Sequence, residues 1–165
     1  MPRLPTPPPG LPEAPSTGGT PTAVAWAGER AREAGVDVRF RCGDAFDTGL
    51  PLGQYDLVYD SGCLHHLPPH RRISHLALLE GVLKPGGHVV VNAFAAGATG
   101  SELPDAELYR NGRLDGGLAC TPDELRHVFS DFTEIEIRPM EPQGPDSPLF
   151  GIPVPLTALF RRPPR

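Results

Sequence analysis

From Thr20 to Gly35 the apolar positions Val24, Ala27, Ala31 and Ala34 recur at helical spacing, with Glu29, Arg30 and Glu33 on the other faces. Thr20 is a suitable N-cap, Pro21 suits the first helical position and Gly35 suits the stop. The period then changes to two. Val36, Val38, Phe40 and Cys42 alternate with Asp37, Arg39 and Arg41, which predicts a strand with one wet face at a sheet edge. A second strand is expected from about Tyr55 to Tyr59, apolar on both faces apart from Asp56. A helix from about Pro69 to Leu83 would turn Ile73, Leu76, Leu79 and Leu83 inward, and Lys84-Pro85-Gly86-Gly87 would break it. His88 to Phe94 reads as a continuous buried strand.

The long Gly-rich stretch from Ala95 to Cys120 carries one short helical pattern near Pro104 to Arg110. A stretch of that length inside a domain is usually functional. Thr121, Pro122 and Glu124 form a capping-box signature ahead of inward Leu125, Val128 and Phe129. Thr133 to Arg138 alternates, with Ile135 and Ile137 inward. Leu156 to Phe160 is a last strand, and the closing pair could be antiparallel. Strands alternating with helices predict an α/β fold with a mainly parallel sheet.

Composition narrows this only a little. The chain has 165 residues, 39% hydrophobic and 21% charged, as expected of one soluble domain. A formal net charge of -5 argues against a duplex nucleic-acid surface. No apolar run approaches the roughly 20 residues of a membrane helix, and no apolar signal core opens the chain. Three cysteines without CxxC spacing suit a reduced, cytoplasmic protein. Eight of the 22 prolines fall within the first 21 residues. Residues 1–19 therefore read as a disordered or extended segment, and residues 20–162 as the folded domain.

In open α/β sheets ligands lie at the carboxyl ends of the strands. Gly43-Asp44-Ala45-Phe46 follows the first strand. A carboxylate at Asp44 and the next backbone amide can read an adenine edge, although Gly43-Asp44 can equally be a turn closed by an Asx bond. Asp60-Ser61-Gly62-Cys63, then His65-His66, follow the second strand. Small residues there admit a ligand to the backbone, and a histidine can act as base or donor toward a substrate. The plainer reading packs one histidine against the sheet and leaves the other in water. No metal site is expected among His65, His66, His70 and His75. Adjacent histidines point apart, and no carboxylate stands at helical spacing to complete a set. Cys63 reads as an inert thiol rather than a nucleophile.

In this order, GDAF, YDLVYDSGCLHHL and LKPGGHVVV resemble the class I S-adenosylmethionine-dependent methyltransferases over roughly Thr20 to Phe160. The resemblance implies a Rossmann-like sheet ordered 3-2-1-4-5-7-6 with helices on both faces, and S-adenosylmethionine as cofactor. It places Asp44 on the adenine amine and Ala45's amide on the ring. Asp60, Ser61 and Gly62 would lie along the methionine part, and His66 on the substrate side, its one candidate catalytic residue. The segment from Ala95 to Cys120 would cover a small-molecule acceptor.

The family's GxGxG loop has no counterpart here, and Gly18 stands where its ribose-gripping acid belongs. The expectation is a fold incomplete in its N-terminal half, lacking its first two strands. The Pro-rich segment would be foreign to the fold, as from a frameshift, with Met1 to about Thr17 outside the sheet. Activity would then be impaired, and the lone chain prone to aggregate. The alternative is a non-catalytic truncated paralogue that pairs with another subunit as a scaffold. A hydrolase would need a G-x-S-x-G elbow and a nicotinamide enzyme a Gly-rich turn after a first strand; neither is present.

Overall fold

The computed structural model describes residues 14–17 as backbone, and residues 20–47, 49–112, 114, 116–147 and 149–164 in full. They fall into two compact units, Met1–Gly49 and Leu50–Arg165.

The first unit is a βαβ arrangement. Strand β1 (Ala14–Thr17) leads into helix α1 (Pro21–Ala34), and strand β2 (Val38–Arg41) pairs with β1 in parallel, Ala14 opposite Val38 and Thr17 opposite Arg41. Thr20 Oγ1 accepts from Ala23 N at 3.2 Å, satisfying one orphan donor of the first turn. Gly35 ends the helix at φ 70°, and Val36 N donates back to Ala31 O. The predicted inward face holds: Ala31 is buried, and Val24, Ala27 and Ala34 are half-buried.

Two expectations are corrected here. Ala14–Thr17 does not stand apart from the fold but supplies a strand next to β2. The pattern hid it because four residues with a proline and two hydroxyls show no alternation. The predicted Val36–Cys42 strand is shorter, and Cys42 is exposed rather than inward. Residues 1–13 lie outside the described residues.

The second unit holds one five-stranded sheet. Its strands are β3 (Tyr55–Ser61), β4 (Leu83–Ala95), β5 (Ala119–Cys120), β6 (Thr133–Pro139) and β7 (Pro155–Arg161). The order is β3-β4-β7-β6, with β5 also paired to β4. β3 and β5 run parallel to β4, while β7 runs antiparallel to both β4 and β6. Helices α2 (Pro69–Val82), α3 (Asp105–Asn111) and α4 (Pro122–Val128) complete it. β3-β4-β7-β6 reproduces the expected 4-5-7-6 run, and β2-β1 the 3-2 pair.

The core sits around β4. Val89, Val91, Leu79, Leu83 and Leu125 are shut from solvent, and the rings of Phe129 and Phe160 stack 4.5 Å apart. Each such side chain contributes about 1.5–3 kcal/mol by burial. α4 carries the expected capping box, with Glu124 N bonded to Thr121 Oγ1 and Thr121 N bonded to Glu124 Oε2. Gly87 is required by packing, because a Cβ there would lie 2.9 Å from Lys84 O and 3.2 Å from Tyr55 O.

Two helix and strand phases differ from the pattern. Ile73 is 73% exposed, and His75 takes the inward position with Leu79 and Val82. Ile135 is 49% exposed, beside a register shift between Glu134 and Glu136 that turns it outward. Leu57 and Tyr59, at the end of the sheet formed by β3, are also exposed.

Candidate active site

The chemistry-bearing residues of the second unit gather where β3 ends beside β4. The chain turns at Gly62, φ 97°, and Leu64–His66 make one turn of 3-10 helix before Pro68 and Pro69 start α2. Asp60 organises this turn. Its Oδ1 accepts from Cys63 N at 2.6 Å, its Oδ2 accepts from Leu64 N at 3.1 Å, and His75 Nε2 lies 2.9 Å from Oδ2. The Asp60 side chain is 2% exposed, and that of His75 6%. A buried carboxylate is tolerated only when its oxygens are occupied, and these are.

The Asp60 carboxylate points inward and shapes the backbone around it. Ser61 remains exposed and Gly62 half-buried. Of the four histidines, His75 is the one whose ring meets the Asp60 carboxylate. The carboxylate reaches His75 from a strand and not from a helical neighbour, which residue spacing along one helix could not show.

The histidine pair divides as the plainer reading allowed. His65 is buried, its ring stacked on Phe94 with centroids 3.9 Å apart, between Gly62 and Gly117. Burial pushes its imidazole below the ordinary 6.5, and His66 beside it adds to that. His66 is exposed, its ring 4.3 Å from that of His65. The carbonyl of His65 accepts from Leu118 N at 2.6 Å, so the chain returning from β4 is fastened to this turn. One group went unforeseen in the run His88 to Phe94. Asn92, nearly buried, donates to Tyr59 Oη at 2.6 Å and accepts from Thr157 Oγ1 at 2.9 Å, linking three strands.

α3 stands over the start of α2. Tyr109 Oη accepts from His70 N at 2.9 Å, the two rings stack, and Arg72 pairs with Asp105 at 3.2 Å. Between them is a cavity of about 290 Å³ lined by Pro68, Pro69, His70, Leu108, Tyr109 and Leu114, among others. A larger cavity of about 360 Å³, beside Glu80, Asp131, Phe132 and Arg162, lies at the amino end of β4, since Arg161 pairs with His88. Ligands of parallel α/β sheets bind at the other end, so the smaller cavity is the one of interest.

In the first unit Asp44 and Ala45 follow β2. Asp44 Oδ1 accepts from Phe46 N at 2.9 Å, the Asx turn expected as the alternative. Asp44 is exposed and Ala45 half-buried.

A methyltransferase-domain family model matches residues 19–87. That segment, from α1 to the start of β4, is similar to a methyltransferase domain. A thiopurine S-methyltransferase from Vibrio vulnificus is 25% identical over 111 residues, 67% of this chain and 45% of the relative. The chain thus spans under half the length of that curated protein. Among solved structures, a SAM-dependent methyltransferase from Methanosarcina mazei superposes with a TM-score of 0.65 at 16% identity, covering 92% of this chain and 82% of the other. The N-methyltransferase NodS from Bradyrhizobium japonicum, in complex with S-adenosyl-L-homocysteine, gives 0.61 at 20% identity, covering 92% and 67%. A 1,6-didemethyltoxoflavin-N1-methyltransferase from Burkholderia thailandensis gives 0.60 at 20%, covering 92% and 72%. These likenesses show that the chain has a fold similar to theirs.

Proposed function

We propose that this domain transfers a methyl group from S-adenosylmethionine to a small-molecule acceptor. The observation that carries the reading is the Gly62 turn between β3 and α2, which leaves Ser61 and His66 exposed while Asp60 and His65 hold it from beneath. In-line methyl displacement asks little covalent chemistry of the protein; alignment of donor and acceptor supplies most of the rate. Ser61 and Gly62 present backbone to the methionine part of the cofactor. Asp44 accepts from the adenine amine, and the amide of Ala45 donates to the ring. S-adenosylmethionine, when bound, supplies the electrophilic methyl.

His66 is the candidate base, needed only where the acceptor gives up a proton. The 290 Å³ cavity walled by Pro68, Pro69, Leu108 and Leu114 suits an uncharged organic acceptor, with His70 and Tyr109 as its polar pair. Similarity to small-molecule methyltransferases supports the same class of acceptor.

The test is calorimetric titration of the 165-residue chain with S-adenosyl-L-homocysteine, followed by Asp44→Ala. Binding that weakens at least tenfold in Asp44→Ala supports the assignment. No heat and no thermal stabilisation at millimolar ligand would refute cofactor use by this chain. That outcome would favour the scaffold alternative. Because no GxGxG loop is present, affinity weaker than micromolar is expected: each lost charged contact costs about 1.5–3 kcal/mol, and two weaken binding by roughly a hundredfold or more.

A further inference from the structure

We propose that Asp60, Cys63 and His75 form a binding site for a divalent cation of the zinc class. The ligand atoms of the three residues all lie within 4.8 Å of one another. They offer a carboxylate, a thiol and an imidazole, the donor set that borderline cations prefer over oxygen-loving Mg²⁺ or Ca²⁺. Three protein ligands leave one tetrahedral position for water, and Cys63, half-buried at the edge of the turn, gives that position access. Around such an ion, bond lengths of about 2.0–2.3 Å bring ligand atoms to roughly 3.3–3.8 Å from one another. Asp60 Oδ2 and His75 Nε2, now at 2.9 Å, would part by a few tenths of an ångström as the ion enters, and the Cys63 side chain would adjust with them.

The backbone already orients the carboxylate. Cys63 N and Leu64 N hold the Asp60 carboxylate in a fixed orientation, as supporting hydrogen bonds do at metal ligands. Binding is a balanced exchange. The Cys63 thiol gives its proton to solvent, the His75 proton moves from Nε2 to Nδ1, and the ion takes the space between them. The ion would then tie the turn bearing His65 and His66 to α2. The inference is independent of the methyl-transfer reading, because its ligands lie on β3, the turn and α2 and none of its readouts uses methyl transfer.

The competing possibility is a hydrogen-bonded Asp60–His75 pair with no affinity for metal. To separate the two, the full chain is stripped with chelator under a non-thiol reductant and titrated with Co²⁺. A thiolate-to-cobalt charge-transfer band and d–d bands of tetrahedral strength should saturate at one equivalent and bleach on adding Zn²⁺. Cys63→Ser should lose the charge-transfer band and bind Co²⁺ at least tenfold more weakly, while Cys42→Ser and Cys120→Ser keep both. Zn²⁺ should raise the melting temperature of the parent and leave that of Cys63→Ser unchanged. Absence of a saturable charge-transfer band, or a band that survives Cys63→Ser, overturns the proposal.

Discussion

Replacing Asp60 by alanine is the most severe single change the second unit can suffer at the proposed site. The carboxylate receives Cys63 N at 2.6 Å and Leu64 N at 3.1 Å, and faces His75 Nε2 at 2.9 Å. Alanine abandons all of these where water has little access, since both side chains are at most 6% exposed. Each buried donor left without a partner costs about 1–3 kcal/mol. Removing one member of a buried pair typically costs about 3–5 kcal/mol, and that range is the expectation for Asp60→Ala. It is a large share of the roughly 5–15 kcal/mol by which a domain is stable. At about 2–4 °C per kcal/mol for a chain of this size, the melting temperature should fall by roughly 6–20 °C. Asp60→Asn keeps the volume and one acceptor oxygen, so its loss should be smaller, about 1–3 kcal/mol. Urea denaturation of Asp60→Ala, His75→Phe and the double variant, in metal-free buffer, gives the coupling directly. A coupling of about 0.5–3 kcal/mol is expected for residues in contact. If Asp60→Ala cost less than about 1 kcal/mol, the carboxylate would not be holding the turn and the reasoning would fail.

Three other outcomes are expected. Gly62→Ala forces a side chain to φ 97° and sets its Cβ 3.0 Å from His65 Cε1, so stability should fall by about 1–3 kcal/mol in a thermal melt, and the proposed methyl transfer should fall with it. Burial holds the folded-state value of His65 below 6.5, so the unfolded chain takes the proton first. Its contribution to stability is whole above pH 6.5 and is lost as pH falls through the folded-state value. Urea midpoints measured from about pH 7.5 down to about pH 5 should show an acid decline that is shallower in His65→Asn; equal slopes would remove His65 from the account. Burial, and then the negative charge of Glu124, push the Cys120 thiol up, whereas Cys42 is exposed. Alkylation followed by mass spectrometry should modify Cys42 well before Cys120, and the reverse order would contradict the described burial.

Much of the architecture was legible from periodicity and caps. α1 and its inward face, the capping box of α4 and the buried β4 each follow from a local rule that tertiary packing did not override. What escaped were features set by partners distant in sequence. The helical pattern put Ile73 inward, but the buried carboxylate at Asp60 required a polar partner, and that requirement turned His75 toward the core instead. β1 escaped because only its pairing with β2, through a helix, makes Ala14–Thr17 a strand. At the site, placing candidates after strand ends located the Gly62 turn. It could not say which side chains face outward: Asp60 turns its carboxylate into the fold, while Asn92 joins three strands from a run read as one continuous buried strand.

Phe94 and Ala95 pair with Ala119 and Cys120, so the chain between β4 and β5 departs from and returns to the same point of the sheet. Such an excursion is a cassette. Loop closure costs rise only slowly with length, roughly 0.6 kcal/mol per doubling, so the segment carrying α3 can be lengthened, shortened or exchanged while the strands that hold its ends stay paired. Descendants of one ancestral domain could diverge in what they accept by editing this segment alone. For the laboratory, the Ala95 and Cys120 ends mark the two junctions at which the corresponding segment of a protein of similar fold could be grafted.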